Sequence, residues 1–352
     1  MTAVRVAVNG YGVIGKRVAD AVRAMPDMEL VGVADVATDW RIRTATGLGI
    51  PVFAATEDAS TAMQAAGVPV AGMLGDLLGR VDAVVDSTPK KVAATNLEAY
   101  HRAGVKAVFQ GGESHASTGH SFVAQANYAT ALGRDTTRVV SCNTTSIVRV
   151  LGALQDAELL ARARGVLIRR ATDPGESHLG GIMNTMVPEA SIPSHQGPDA
   201  RTVRPDLDVV TIAAKAAHTQ THNHYWTLQL TRPASREEVL DALRAAPRIA
   251  FIRMADGLVA LNTTVELMRD LGRPRGDMWE VALWEDVLSV DGDEAYLTYQ
   301  VYNEAIVVPE TIDAIRALTG TVADGPTSIA LTDEVLGMRQ EFLPDRVHAM
   351  QG

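Results

Sequence analysis

Cys142 is the only cysteine in the 352-residue chain, and it lies in RVVSCNTTSIVRVLGAL, residues 138–154. An apolar run leads into it. Small polar residues follow, and then Ile147, Val148 and Leu151 recur at helical spacing. The thiol therefore stands at the start of an expected helix, with Ser141, Asn143 and Thr144 as capping candidates. Two readings compete. A free cysteine packs well as a small hydrophobe. A thiol at a helix N-terminus is also poised as a nucleophile, because unpaired N–H groups and the helix dipole favour the thiolate.

A nucleophile needs a base, and three of the nine histidines cluster in AAHTQTHNHYWTLQL as His218, His222 and His224. YWTLQLT reads as a strand. If that strand begins earlier, His222 and His224 share a face. A catalytic base, an H-x-H metal ligand and structural packing all remain open for them, although no second ligand cluster accompanies the H-x-H. Two polar islands, RRATDP (169–174) and PSHQGPD (193–199), interrupt apolar runs. Arg169, Arg170 and His195 suit an anionic substrate group, since a guanidinium offers a planar fork to phosphate. Pairing with Asp173 or Asp199 would equally account for the arginines.

The redox partner of such a thiol is suggested nearer the N-terminus. VRVAVN reads as a buried strand and runs into GYGVIG, which sets Gly10, Gly12 and Gly15 in the G-x-G-x-x-G pattern. KRVADAVRAM continues as a helix with Val18, Ala21, Val22 and Met25 on one face, broken at Pro26. MELVGVAD follows as a second strand and ends on Asp35, 20 positions after Gly15. Strand, glycine turn, helix and terminal acid together form the dinucleotide fingerprint. Asp35 favours NAD, because a carboxylate accepts from ribose hydroxyls and repels a 2′-phosphate, although Arg41 and Arg43 nearby leave NADP open. Further α/β alternation follows through RVDAVVDSTP, KKVAATNLEAYHRAG and VKAVFQGG, whose Gly111-Gly112 pair closes a strand either at a ligand or as a plain turn.

The chain length suggests two domains, and 47% hydrophobic residues suffice for their cores. A net charge of −10 argues against nucleic acid as a partner. One cysteine forms no intrachain disulfide, the N-terminus lacks a signal-peptide core, and no apolar run reaches the roughly 18 residues of a membrane span. These features suggest a cytoplasmic protein without membrane contact.

Taken in order, NGYGVIGKRVADAV, VVDSTPK, VFQGGESH, VVSCNTT, RRATDP, PSHQGPD, RDLGRPRGD with WEDV, and VVPETIDAIRAL resemble the archaeal-type (type II) glyceraldehyde-3-phosphate dehydrogenases from residue 9 to beyond residue 316. The resemblance implies an α/β chain in three parts: a Rossmann NAD(P)-binding domain over 1–140, an α+β catalytic domain with a largely antiparallel sheet over 141–302, and a segment over 303–352 whose helix returns to the first domain. It implies phosphorylating oxidation of glyceraldehyde 3-phosphate and a homotetramer. It makes Cys142 the nucleophile and His222, 80 positions on, the base. Ser141, Asn143, Thr144, Arg169, His195 and Gln196 become substrate or inorganic phosphate contacts. Gly10, Gly12, Val13, Ile14, Gly15, Asp35, Gly112, Arg170 and Asn303 become cofactor contacts, and no metal is implied.

The chain departs from the family pattern in places. Asp35 stands where a lysine tied to NADP is frequent, and Gln196 replaces the second histidine after PSH. Ala217-His218-Thr219 replaces proline-threonine-threonine, and Tyr302-Asn303-Glu304 resembles the bacterial-type segment whose asparagine holds the carboxamide. The same chemistry on another phosphorylated or phosphonate aldehyde is the alternative. A silent NAD-binding regulator is the alternative of another class.

Overall fold

The computed structural model describes residues 3–89, 92–110, 112–173, 175 and 182–343. Gly111, Lys90 of VVDSTPK and Pro174 of RRATDP lie outside them, as do the last nine residues of the C-terminal segment. The chain divides into two compact units, one of Met1–Ser141 with Val307–Leu336, the other of Cys142–Ile306 with Gly337–Gly352.

The first unit is built on seven strands: β1 (Val4–Asn9), β2 (Met28–Asp35), β3 (Val52–Ala54), β4 (Ala83–Asp86), β5 (Lys106–Phe109), β6 (Ser121–Phe122) and β7 (Thr136–Val139). Their order is β3-β2-β1-β4-β5-β7-β6 and every pairing is parallel. Strands buried on both faces read as continuous apolar runs, which is why VRVAVN and AVVD were legible. The strand order reverses direction between β1 and β4, the point where open α/β sheets bind ligands. The helix Val13–Ala24 buries Val18, Ala21 and Val22, and Met25, just past its end, is buried too. The C-terminal helices Val307–Thr319 and Gly325–Leu336 belong to this unit, and the first of them is buried along nearly its whole length. Two contacts fix it. Glu310 Oε2 accepts from the Ala124 N–H at 2.6 Å, and the Arg316 guanidinium grips Asp27 at 2.8 and 2.9 Å.

The second unit carries eight strands: β8 (Leu160–Arg170), β9 (Met186–Pro188), β10 (Val209–Ala216), β11 (His222–Leu230), β12 (Ile249–Ile252), β13 (Val281–Trp284), β14 (Ser289–Asp291) and β15 (Glu294–Val301). The sheet order is β12-β13-β15-β11-β8-β10-β9, with β14 on β15. The sheet is mixed. Pairs β8–β10 and β12–β13 are parallel and the other five antiparallel. On β8, Ala163, Gly165 and Leu167 turn inward while Val166 faces out, the two-residue alternation of a sheet covered on one side. The helix Cys142–Asp156 buries almost every residue from Asn143 to Leu154 and packs on β8, β13 and β15 of this sheet. The chain returns here after Leu336: the Phe251 N–H donates to the Gln340 carbonyl at 2.7 Å, and Gln340 Nε2 donates to the Arg244 and Ala246 carbonyls. Among the described residues, no helix is long and apolar enough to cross a membrane.

Gly165 shows how tightly the sheet is filled. It pairs in register with Trp226 on β11, and a Cβ there would come within 2.5 Å of the indole ring. Gly165→Ala should therefore cost about 1–3 kcal/mol through overpacking. Thermal unfolding should show a midpoint lowered by several degrees; an unchanged midpoint would mean that the indole yields freely.

Candidate active site

In the first unit, Gly10 adopts φ +91°, and a Cβ on it would meet the Ser87 carbonyl carbon and the Thr88 nitrogen at 2.9 Å. A Cβ on Gly15 would lie 1.8 Å from the Gly10 carbonyl oxygen. Both positions exclude any side chain. Gly12 caps the helix with no side-chain hydrogen bond, and a Cβ there would meet nothing within 4 Å. Val13 and Ile14 open the helix, so the N-terminal N–H groups face an open approach, the arrangement that receives a diphosphate. Gly112 lies just beyond β5 at φ +149°, a conformation that favours glycine.

Beneath the loop, Asp86 at the end of β4 accepts from Tyr100 Oη (2.6 Å), Asn96 Nδ2 (2.9 Å) and Thr88 Oγ1 (2.6 Å). Asn9 Nδ2 donates to Tyr100 Oη at 2.8 Å. Asn9 Oδ1 and Ser87 Oγ are buried without a partner, at the same strand ends. Buried polar atoms left open beside a glycine cradle fit a polar ligand such as a dinucleotide. Asp35 accepts from the N–H groups of Tyr11, Val36 (2.7 Å) and Ala37 (2.8 Å), which ties the end of β2 to the glycine loop. Those three bonds leave about one of a carboxylate's four acceptor positions. Arg41 pairs with Asp39 at 2.6 Å, and Arg43 donates to the carbonyls of Thr38 and Ala66.

In the second unit, the helix begins at Cys142 itself, with Ser141 the last residue of the first unit before it. Asn143 and Thr144, expected as caps, fall inside the first turn and reach to neighbouring elements instead. Asn143 Oδ1 accepts from His224 Nε2 at 2.8 Å, and Thr144 Oγ1 donates to Asp199 at 2.8 Å. Strand β11 starts at His222, earlier than YWTLQLT, so His222 and His224 do share its inner face and both are buried. His224 Nδ1 meets Tyr299 Oη at 3.0 Å, across the register pair His224–Tyr299 of β11 and β15. A ring that donates from Nε2 to an amide oxygen must accept at Nδ1 when neutral. Burial keeps it neutral, lowering its pKa to about 3.

His222 is held differently. Its Nδ1 accepts the Arg170 backbone N–H at 3.0 Å, so the neutral ring carries its proton on Nε2. Burial, then the charge of Arg170, then His224 and Arg169, hold its pKa well below the ordinary value. His218 precedes the strand, with its Nε2 3.2 Å from the Thr221 carbonyl. Cys142 keeps an intermediate exposure. Loss of hydration pushes its thiol up to about 11, against the lowering pull of Arg170, Arg169 and the Asn143 N–H.

The polar islands resolve into ion pairs. Arg169 pairs with Glu189, and His195 Nδ1 lies 3.6 Å from the same carboxylate. Arg170 pairs with Asp173 and lies 3.5 Å from Glu304. Asp199 accepts from Thr144 Oγ1. Gln196 is fully buried with neither amide atom bonded, and Asn303 Oδ1 is buried and unpartnered. Glu189 and Tyr299 carry no sequence motif of their own; pairing between distant strands brings them to the site.

Two family models match the chain. The glyceraldehyde 3-phosphate dehydrogenase C-terminal domain covers residues 141–271, and the dihydrodipicolinate reductase N-terminus covers residues 4–144. Glyceraldehyde-3-phosphate dehydrogenase of Methanococcoides burtonii is 42% identical over 96% of this chain and 100% of its own length. The enzymes of that name from Metallosphaera sedula and Thermococcus kodakarensis are each 43% identical, over 97% and 95% of this chain and 99% of their own. Identity of this order along almost the whole of both chains is decisive: the chain belongs to the archaeal-type glyceraldehyde-3-phosphate dehydrogenase family.

Proposed function

We propose that this chain oxidises D-glyceraldehyde 3-phosphate to 1,3-bisphosphoglycerate with NAD(P) and inorganic phosphate. The observation that carries the reading is the lone thiol at the head of the helix Cys142–Asp156, under the charge of Arg169 and Arg170 and next in the chain to the Asn143 that bonds neutral His224, within the segment matched by the family's C-terminal domain. Cys142 Sγ attacks the aldehyde carbon, and the thiol proton passes to His222. Taking it on Nε2 requires the other tautomer, which forfeits the Arg170 N–H bond at about 1 kcal/mol. Backbone N–H groups at Cys142 and Asn143 hold the thiohemiacetal oxygen. The nicotinamide, when bound, accepts the hydride. Inorganic phosphate then cleaves the thioester, and the Cys142 thiolate departs.

Arg169 and His195 are assigned to phosphoryl groups, with Ser141, Asn143 and Gln196 as the further contacts that the resemblance implies. Gln196 brings a buried amide with both atoms open to a ligand. Thr144 gives its hydroxyl proton to Asp199, so it meets an anion through its backbone. In the first unit, Gly10, Gly12, Val13, Ile14, Gly15 and Gly112 form the cofactor cradle. Asn303 Oδ1 suits the carboxamide N–H2, and Arg170, committed to Asp173 and Glu304, acts toward the cofactor through charge. NAD is preferred over NADP: Asp35 repels a 2′-phosphate, and Arg41 and Arg43 are already engaged. A reducing cytoplasm suits a free catalytic thiol.

We also assign a homo-oligomer, with the tetramer implied by the resemblance as its form. Ile212, Val166 and Tyr225 stand in direct register across β10, β8 and β11, and each is 43–50% exposed on the outer face of the sheet. An apolar row of this kind is what a second copy covers.

Two experiments test these assignments. Reduced-cofactor formation with glyceraldehyde 3-phosphate should require inorganic phosphate, run faster with NAD than NADP, and fall by roughly 10⁴-fold or more in Cys142→Ser. Normal turnover by that variant would end the mechanism, and activity confined to another phosphorylated aldehyde would move the substrate. Sedimentation should find the wild type assembled and Val166→Glu as a smaller species; an unchanged mass would place the interface elsewhere.

A further inference from the structure

Two side chains of the candidate anion site, the Arg169 guanidinium and the His195 imidazole, meet one internal carboxylate. Glu189 Oε1 accepts from Arg169 Nη1, and Glu189 Oε2 lies 3.6 Å from His195 Nδ1. The strands bring this about. Arg169 on β8 pairs in register with Lys215 on β10, and Lys215 with Val187 on β9. One residue past β9, the Glu189 N–H donates to the Ala213 carbonyl at 2.8 Å, which anchors the carboxylate across β10 from Arg169. The pair is largely covered, with the arginine side chain 22% and the glutamate side chain 20% exposed.

The carboxylate leaves other donors unfilled. Arg169 Nε is buried and has no partner. Gln196, next to His195 in the chain, is fully buried with its amide nitrogen and oxygen both unbonded. Buried donors of this kind normally find acceptors, and leaving them open costs free energy. A carboxylate presents two oxygens and one negative charge. A phosphoryl dianion presents three oxygens and a second charge, so it can engage the Nε edge of the Arg169 fork that the carboxylate on Nη1 leaves open.

We propose that Glu189 is a built-in counter-anion of the phosphate site. It keeps Arg169 and His195 aligned between turnovers and yields them to the phosphoryl group of the substrate or to inorganic phosphate. This rests on the reading of Arg169 and His195 as phosphate ligands. Its consequence is competition for one guanidinium: the carboxylate charge opposes any phosphate that binds Arg169, so the native residue weakens phosphate affinity while keeping the covered arginine paired.

The test is titration calorimetry with inorganic phosphate on the full-length wild type and on Glu189→Gln, which keeps the shape and removes the charge. Glu189→Ala serves as a second variant. Phosphate should bind about five-fold more tightly to both variants, the gain expected when a partly exposed ion pair no longer competes. Equal or weaker binding by folded variants would overturn the proposal and make Glu189 a buttress that Arg169 needs in order to bind. Turnover of glyceraldehyde 3-phosphate by the wild type is scored separately. Its absence would remove the proposed activity without touching the binding comparison.

Discussion

Desolvation is the constraint on which the candidate site depends. His222 and His224 are buried and Cys142 is partly covered, and loss of hydration favours the neutral form of each: it raises the thiol and lowers both imidazoles. Arg169 acts on all three and Arg170 on Cys142 and His222, with opposite effect on thiol and imidazole. Their charge draws the thiol down toward ionisation and drives the imidazoles further from it. A thiolate–imidazolium pair therefore gains from the arginines on one side and loses on the other. The resting site holds a neutral thiol and neutral rings.

A buried polar site is stable only if its atoms are satisfied, and most of this one's are. Tyr299, His224 and Asn143 form a chain of hydrogen bonds from the middle of β15, through β11, to the first turn of the cysteine helix. That chain sets the residue next to the nucleophile without placing a charge there. The Arg170 N–H fixes the tautomer of His222 in the same way. The Gln196 amide, Arg169 Nε and Asn303 Oδ1 are among the buried groups that remain open.

Local signals were legible in the sequence and distant ones were not. The glycine loop, the acid ending β2 and the helix after Cys142 are written in neighbouring residues, because turn sterics and helical spacing act over a few positions. The shared face of His222 and His224 follows from strand alternation alone. Nothing local shows that Asn143 would leave its cap to meet a histidine 81 residues away, or that Tyr299 would stand opposite that histidine. Glu189 is equally silent, since its meeting with Arg169 depends on two further strands lying side by side in register. The role of Asp35 was half visible: its position at the strand end marks a ribose site, but its three backbone bonds appear only once the loop is folded over it.

The central claim is that burial leaves Cys142 protonated at neutral pH until ligands reshape the site. A single cysteine makes this directly measurable, because the ultraviolet absorbance of thiolate, after subtraction of a Cys142→Ser titration, reports that residue alone. Titrating the ligand-free protein should give no thiolate step near neutrality and a rise only toward about 11. A step at or below neutral pH would contradict the account and show a thiolate–imidazolium pair already formed in the resting site.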